Sequence, residues 1–334
     1  MQIDQQNIIL RLGNKKSYPH KVSKIKILET HISWVILTGS YAYKVKKNVK
    51  FGEVLDFSKL YLRKKFCNRE ISLNKILCGN MYQKVVKIVN KNDIFKIVDL
   101  RDHGRAIEYA VKMIEIPQKF RMDNLLRDGK IDMKTVEYLT KILLKFHNGA
   151  TTSKNISRFG RPIFIKKKIN ENFKTLSQLI KLDPIFQYKL NSFVENNIDL
   201  FHQRIKQNRI RDIHGDLYLK NIFIVRDKIY LYDRIEFNDS LRYADVIEDI
   251  SHLAMDLDFH QRIDLRDRFI SCYMKKSGDD VIKKMIFFMM CYKACVRGKV
   301  SLFRANEVLN NEKTIHEKEA MLHFNLAKNY IEHF

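Results

Sequence analysis

The segment "RDIHGDLYLKNIFIV" (residues 211–225) places His214, Asp216 and Asn221 close together and then runs into an apolar stretch. Downstream, "IYLYDRIEFND" sets Asp233 just after a second short apolar run. Two carboxylates and a carboxamide are the oxygen groups that phosphoryl transfer requires. One carboxylate orients an acceptor hydroxyl and takes its proton, and the other oxygens hold Mg²⁺ against the phosphates. If "NIFIV" and "KIYLYD" pair around a turn at Arg226-Asp227, the loop before the first strand returns beside the end of the second. Asp216, Asn221 and Asp233 can then converge, with His214 bracing the loop through hydrogen bonds. Each residue also has a plainer use: Asp216 as a turn cap, Asn221 in an Asx-turn, Asp233 at a strand end. The combination at these spacings favours chemistry.

The loop spacing equals the H-x-D-x-x-x-x-N of protein-kinase catalytic loops, which directs attention to the N-terminal half. A site of that kind needs a strand lysine for the nucleotide phosphates, held by a helix glutamate. "YAYKVKK" offers Lys44 and the helical "REISLN" offers Glu70. Lys46 shares the strand face of Lys44 by the period of two and is its rival for the role. Lys44 is the preferred candidate, and Lys47 and Lys50 read as solvated lysines.

The elements that must position these groups follow from pattern. Residues 32–47 read as two β runs broken at Thr38-Gly39-Ser40, a hairpin with one permissive glycine. A helix follows over 59–77, with Leu60, Phe66, Leu73, Ile76 and Leu77 taken as its buried face. "KVVKIV" (84–89) and "AIEYAVKMI" (106–114) are further strands, and Pro117 marks the end of the second. Helices then dominate: one capped by Asp132, one opening at Asp183-Pro184, and the whole stretch beyond about residue 245. The implied organisation is an α+β chain with a small strand-rich N-terminal lobe (1–113), a hinge at 114–118 and a larger helical C-terminal lobe (119–334).

Bulk properties bound the alternatives. The 334 residues, 45% of them hydrophobic, suffice for a sizeable core. A formal charge of +24, from 62 Lys+Arg against 38 Asp+Glu, raises nucleic acid as a partner. The lysines are dispersed, however, and only "KKK" at 166–168 forms a run. The N-terminal residues lack the build of a signal peptide. "MIFFMMCY" (285–292) is far shorter than a membrane span, so a buried helix is expected and no membrane partner. The five cysteines contain no CxxC pair, which suits a reduced, cytoplasmic setting.

The segments "THISWVILTGSYAYKVKKNVKFGEVLDFS", "REISLN", "AVKMIEIP", "FHNGA", "HGDLYLKNI", "YDRIEFNDSLRYADVIEDISHLAMDLD" and "VRGKV" together resemble the aminoglycoside phosphotransferase-like family. The resemblance is to a bacterial branch whose members often carry an added P-loop kinase domain. It implies a two-lobed protein-kinase-like fold and an ATP- and Mg²⁺-dependent phosphotransferase acting on a hydroxyl of a small molecule. On matching positions it makes Asp216 the catalytic base with His214 beside it, Asn221 and Asp233 the metal ligands, and Lys44 and Glu70 the phosphate pair. It adds Gly39 and Ser40 of the first hairpin and a hinge at 112–117, including Met113 and Glu115, as nucleotide contacts. This chain holds no G-x-x-x-x-G-K-[ST], so the added P-loop domain is not expected here. Similar sequences usually read "HGDLHLGN"; here Tyr218 and Lys220 replace His and Gly, which sets a cation beside the site.

Acidic residues outnumber basic ones between Leu231 and Asp267, against the trend of the chain. Such a cluster would suit an amine-bearing acceptor, with Glu236 and Asp239 the foremost contributors. Alternatively those acids serve structure, Asp245 and Asp249 orienting the loop through Arg242 or backbone donors. His147 reads as a helix-end packing residue. Arg297 and Lys299 either face substrate or pair with the acidic helix, the second being favoured. From another class comes a non-catalytic nucleotide- or RNA-binding module using the basic surface. The acceptor, and the choice of ATP over GTP, stay open.

Overall fold

The computed structural model describes residues 4–309 and 311–334. A short helix α1 (Gln5–Arg11) leads into strands β1 (Lys26–Glu29), β2 (Ser33–Leu37) and β3 (Tyr41–Lys46) and a small β4–β5 ribbon (Lys50–Phe51 and Leu55–Asp56). Helix α2 (Leu60–Cys78) precedes β6 (Tyr82–Lys91), β7 (Ile94–Asp99) and β8 (Glu108–Ile114). The main sheet runs β1-β2-β3-β8-β6-β7, antiparallel throughout. The β2–β3 and β8 strands lie where the sequence pattern put them. β1 and β7 were not anticipated, although Asn92 (φ 51°) and Asp93 (φ 63°) form the positive-φ turn that hairpins favour between β6 and β7.

Alternation along the sheet sorts the side chains. Tyr43 and Val45 pack with Trp34, Ile36, Ile88 and α1 residues Ile8 and Ile9 on one face. Ala42, Val85 and Val111 pack on the other with Cys67 and Ile71 of α2. Lys44 and Lys46 share the Ala42 face by the same period and so are driven under α2. The buried stripe of α2 is Arg63, Phe66, Cys67, Glu70, Ile71, Asn74 and Cys78. The stripe read from apolar spacing holds only in part: Phe66 is buried and Leu60, Leu73 and Leu77 are half-buried, but Ile76 is 65% exposed. Polar groups occupy the inner face because partners await them, Arg63 on Glu108 at 2.8 Å and Asn74 on the Arg234 N–H at 2.9 Å.

The first compact unit extends to Arg121 and takes in Phe223–Asn238 as well. The second comprises Met122–Ile222 and Asp239–Phe334. Its helices begin with α3 (Met122–Arg127), α4 (Met133–Gly149), α5 (Lys154–Ser157) and α6 (Pro162–Leu176). Asp132 caps α4, accepting the Thr135 N–H at 2.8 Å. The helix expected from 183 to 208 is two, α7 (Ile185–Asn196) and α8 (Ile198–Lys206), broken where Asn197 leaves helical geometry (φ −126°, ψ 33°). Strand β9 (Ile210–Asp212) enters the loop at 213–221. The hairpin β10 (Ile222–Val225) and β11 (Lys228–Leu231) follows, turning at Arg226 with φ 53°. It packs with the sheet unit because Phe223, Tyr230 and Tyr232 join the apolar cluster under α2.

The chain continues through β12 (Tyr243–Asp245), paired with β9, into α9 (Ile247–Phe259), α10 (Ile263–Ser277), α11 (Ile282–Glu307) and α12 (Asn311–Ile331). α9 is buried along nearly its whole length. α11 carries "MIFFMMCY" as core, and no helix of the described residues is long and apolar enough to cross a membrane. Gly298 allows α12 to lie against α11, since a Cβ there would sit 2.5 Å from Phe324.

Candidate active site

In the sheet unit, the two strand lysines and Glu70 form one buried cluster. Lys44 Nζ donates to Glu70 Oε1 at 2.9 Å and to Asp233 Oδ1 at 2.5 Å. Lys46 Nζ donates to Glu70 Oε2 at 2.7 Å and to Glu236 Oε1, and lies 4.9 Å from the Phe57 ring centre. The difference between the rivals is access. Lys46 is fully enclosed, whereas Lys44 ends on Asp233, whose side chain is 38% exposed.

Burial opposes charge on every member of this cluster, and mutual pairing overcomes it for most. Lys44 is held well above the ordinary lysine range, burial being outweighed by Asp233 and Glu70. Burial likewise works against Glu70, yet Lys44 and Lys46 bring its carboxyl down to about 2. For Glu236 burial wins and pushes the carboxyl up, so it takes a proton before Glu70 does as pH falls.

Asp233 sits at φ 65°, an uncommon conformation for a non-glycine residue. Its N–H donates to the Tyr82 hydroxyl at 3.3 Å, and the next N–H, of Arg234, goes to Asn74 on α2. The turn is thus tied to the helix that carries Glu70. One Asp233 oxygen meets Lys44, and the other accepts no hydrogen bond among the described residues.

The remaining nucleotide candidates lie at the β2–β3 turn and the end of β8. Gly39 has φ +92°, which the turn requires. The N–H groups of Thr38 and Gly39 both donate to Glu115 Oε2, at 2.8 and 2.7 Å. The turn amides that could face an anion are therefore occupied by a carboxylate of the same chain. Ser40 is exposed, and its carbonyl accepts the Glu115 N–H at 3.1 Å. Met113 lies inside the sheet, paired with Ala42 and Tyr82.

In the helical unit, Asp249 holds the 213–221 loop. Its oxygens accept the His214 N–H at 2.8 Å and the Gly215 N–H at 2.9 Å. His147 Nε2 lies 3.1 Å from the same carboxylate, and its Nδ1 is 2.8 Å from the Tyr273 hydroxyl. Burial works against the Asp249 charge, but these hydrogen bonds keep its carboxyl below the usual range. His147 is thus a buried support of the loop. His214 is fully buried, and its Nδ1 accepts the Asp216 N–H at 3.4 Å.

Asn221 Nδ2 donates to the Asp216 carbonyl at 2.9 Å and reaches Asp216 Oδ2 at 3.3 Å. Its side-chain oxygen accepts no hydrogen bond among the described residues. Asn221 and Asp233 each carry a side-chain oxygen, a hard donor of the kind Mg²⁺ takes, so these residue types suit that ion.

The acidic segment is mostly committed to internal partners. Glu236 is 2% exposed and turned onto Lys46, so it does not face an acceptor. Asp239 bonds Arg242 at 2.6 Å, and Asp245 bonds Arg204, also at 2.6 Å, rather than Arg242. Glu248 receives Lys168 and Lys293, and Asp256 accepts the Leu219 N–H at 2.8 Å. Among the described residues Arg297 forms no ion pair with α9, contrary to the favoured reading.

Two residues near Asp216 were not assigned there from sequence. His252 Nδ1 lies 3.8 Å from Asp216 Oδ1, and its ring stacks on Tyr218 with centroids 5.5 Å apart. Burial, reinforced by Lys293 and Arg297, keeps its imidazole neutral, and both ring nitrogens lack a hydrogen-bond partner. Arg297 lies over the Tyr218 ring at 4.5 Å. A signal for His252 existed: Asp249, His252 and Asp256 recur at helical spacing on one face of α9.

No model of a known protein family matches the chain. An uncharacterized protein of Mycobacterium tuberculosis is 30% identical over 315 residues, covering 92% of this chain and 60% of that protein. The chain thus spans about three-fifths of the length of the curated relatives it matches. Among solved structures, a choline kinase from Cryptosporidium parvum superposes with a TM-score of 0.53 at 11% identity, covering 98% of this chain and 97% of that one. A Plasmodium vivax ethanolamine kinase gives 0.50 at 14%, covering 91% and 81%. The fold is protein-kinase-like. Its structural neighbours are phosphotransferases, aminoglycoside phosphotransferases among them.

Proposed function

We propose that this chain is an ATP- and Mg²⁺-dependent phosphotransferase that phosphorylates a hydroxyl of a small molecule. The observation that carries the reading is Lys44, held by Glu70 on α2 and Asp233 at the hairpin end, on a fold whose neighbours are kinases. Lys46, sealed between Glu70 and Glu236, is assigned to supporting that pair. Mg²⁺, with Asn221 and Asp233 as protein ligands, would offset charge on the phosphates. Lys44 binds and orients phosphate oxygens.

Asp216 accepts a hydrogen bond from the acceptor hydroxyl and takes its proton. The acceptor oxygen forms a bond to the γ-phosphorus, the bond from that phosphorus to the β–γ bridging oxygen breaks, and its electron pair leaves with ADP. The Asn221 amide fixes Asp216 from one side, and the neutral His252 ring limits water on the other. Domain assignment follows the same reading: residues 1–113 bind nucleotide, 114–118 connect, and 119–334 carry the base and the acceptor.

The test is transfer of labelled γ-phosphate from ATP to a panel of alcohols, with Asp216→Ala as comparison. Turnover should fall by about 10²–10⁴-fold, the span of a lost general base. The variant's thermal stabilisation by MgATP should persist, while Asp233→Ala should lose it. Equal loss of turnover and MgATP binding in Asp216→Ala would make that residue structural. Salt-sensitive RNA binding without MgATP binding would favour the non-catalytic module.

A further inference from the structure

Arg297 is anomalous. It is 6% exposed, on the buried side of α11, yet it has neither hydrogen bond nor ion pair among the described residues. Its guanidinium lies over the ring of Tyr218, two residues beyond Asp216, at 4.5 Å from the ring centre. Tyr218 in turn stacks on His252, which lies beside the Asp216 carboxylate, so the guanidinium is continuous with the base through packed side chains. Buried charges are ordinarily paired, because an isolated one is strongly disfavoured.

The acids around Arg297 do not supply that partner. Asp216, Asp256 and Glu319 are near enough to help hold it charged, but none reaches ion-pair distance. Asp256 is engaged by the Leu219 N–H, and Glu319 lies 3.3 Å from His316. Lys220 acts on Asp256 and Glu319 as a second cation in the same region. A planar, unpaired, buried guanidinium matches an oxyanion better than any other ligand class, through paired N–H donors.

We propose that Arg297 receives an anionic group, a carboxylate or a phosphate, of the hydroxyl-bearing acceptor. This rests on the phosphotransfer reading of Asp216 and names the substrate class for that site. The acceptor is an acidic alcohol. Choline and ethanolamine, named for the neighbouring kinases, are cationic alcohols; here the acids that could hold such a cation are spent on internal partners, and the free charge is positive.

The test pairs alcohols that differ in charged group: glycerate and glycerol phosphate as anions, propanediol as neutral, ethanolamine as cation. Transfer from ATP should favour the anions, and the two anions separate a carboxylate site from a phosphate site. Arg297→Gln should raise KM for the preferred anion on the order of tenfold to a hundredfold, with KM for MgATP unchanged. Preference for ethanolamine or propanediol overturns the proposal. So does an equal fall in kcat for every alcohol and for acceptor-free ATP hydrolysis, which would put Arg297 on the transferred phosphoryl group instead.

A second measurement needs no turnover. Glycerate or inorganic phosphate, added with MgADP present, should stabilise the wild type and not Arg297→Gln, while ethanolamine stabilises neither. Arg297→Met should melt no lower than the wild type in ligand-free buffer, because it removes an unpaired buried charge and keeps the stacking on Tyr218. A lower melting temperature for Arg297→Met overturns the proposal and makes the residue structural. Binding of anions that Arg297 controls, without transfer to any alcohol, would keep the site and refute the phosphotransfer reading alone.

Discussion

Replacing Glu70 by Gln asks whether charge holds the two strand lysines in place. The Glu70 carboxylate is wholly buried and takes Lys44 on one oxygen and Lys46 on the other. Gln keeps the shape, but its single carbonyl can satisfy one lysine and its amide nitrogen would confront the other. The folded-state carboxyl lies at about 2. Against an unfolded glutamate near 4.3, this corresponds to about 3 kcal/mol of stabilisation at neutral pH. The variant should therefore lose about 3 kcal/mol in urea unfolding at pH 7.

The pH dependence supplies the sharper reading. Because the folded-state value is the lower one, the unfolded chain binds more protons between about 4.3 and 2. The contribution of Glu70 is complete above that window and lost as pH falls through it. Wild-type and variant stabilities should converge as pH drops from 5 towards 2. A gap as large at pH 3 as at pH 7 would refute an electrostatic origin and leave shape as the cause. An unchanged midpoint at pH 7 would refute the role altogether.

Two further substitutions probe the supports of the site. Asp249→Asn presents an amide to the His214 and Gly215 N–H groups and should cost about 2–4 kcal/mol in chemical unfolding, with slower phosphate transfer in the protein that remains folded. Gly298→Ala sets a Cβ 2.5 Å from Phe324 and should destabilise by about 1–3 kcal/mol. Adding Phe324→Leu should recover most of that loss in a double-mutant cycle, whereas additive losses would remove the close approach of α12 as the explanation.

Much of the framework was legible because it is locally encoded. Period-two alternation marks β2, β3 and β8, and Asp132 followed by an amphipathic run marks α4. The failures share a cause. α2 buries Arg63, Glu70 and Asn74 because Glu108, the strand lysines and Arg234 meet them, and none of those partners is visible from helical periodicity. The break at Asn197 and the strand β7 were missed for want of a strong local signal, though Asn92-Asp93 offered a weak one.

The sequence by itself determined the spacing of Asp216 and Asn221, since five residues of tight loop leave the amide little choice but to meet the aspartate. It also determined that Lys44 and Lys46 share a sheet face. Only the tertiary structure decided which lysine is sealed, that Glu236 turns inward, and that Arg297 stands beside Tyr218 without a counter-ion among the described residues. Those outcomes depend on contacts between residues far apart in the chain, such as Lys46 with Glu236, where burial and pairing compete. The free energy of a charge is set by the company it keeps, and the linear sequence does not say which residues those will be.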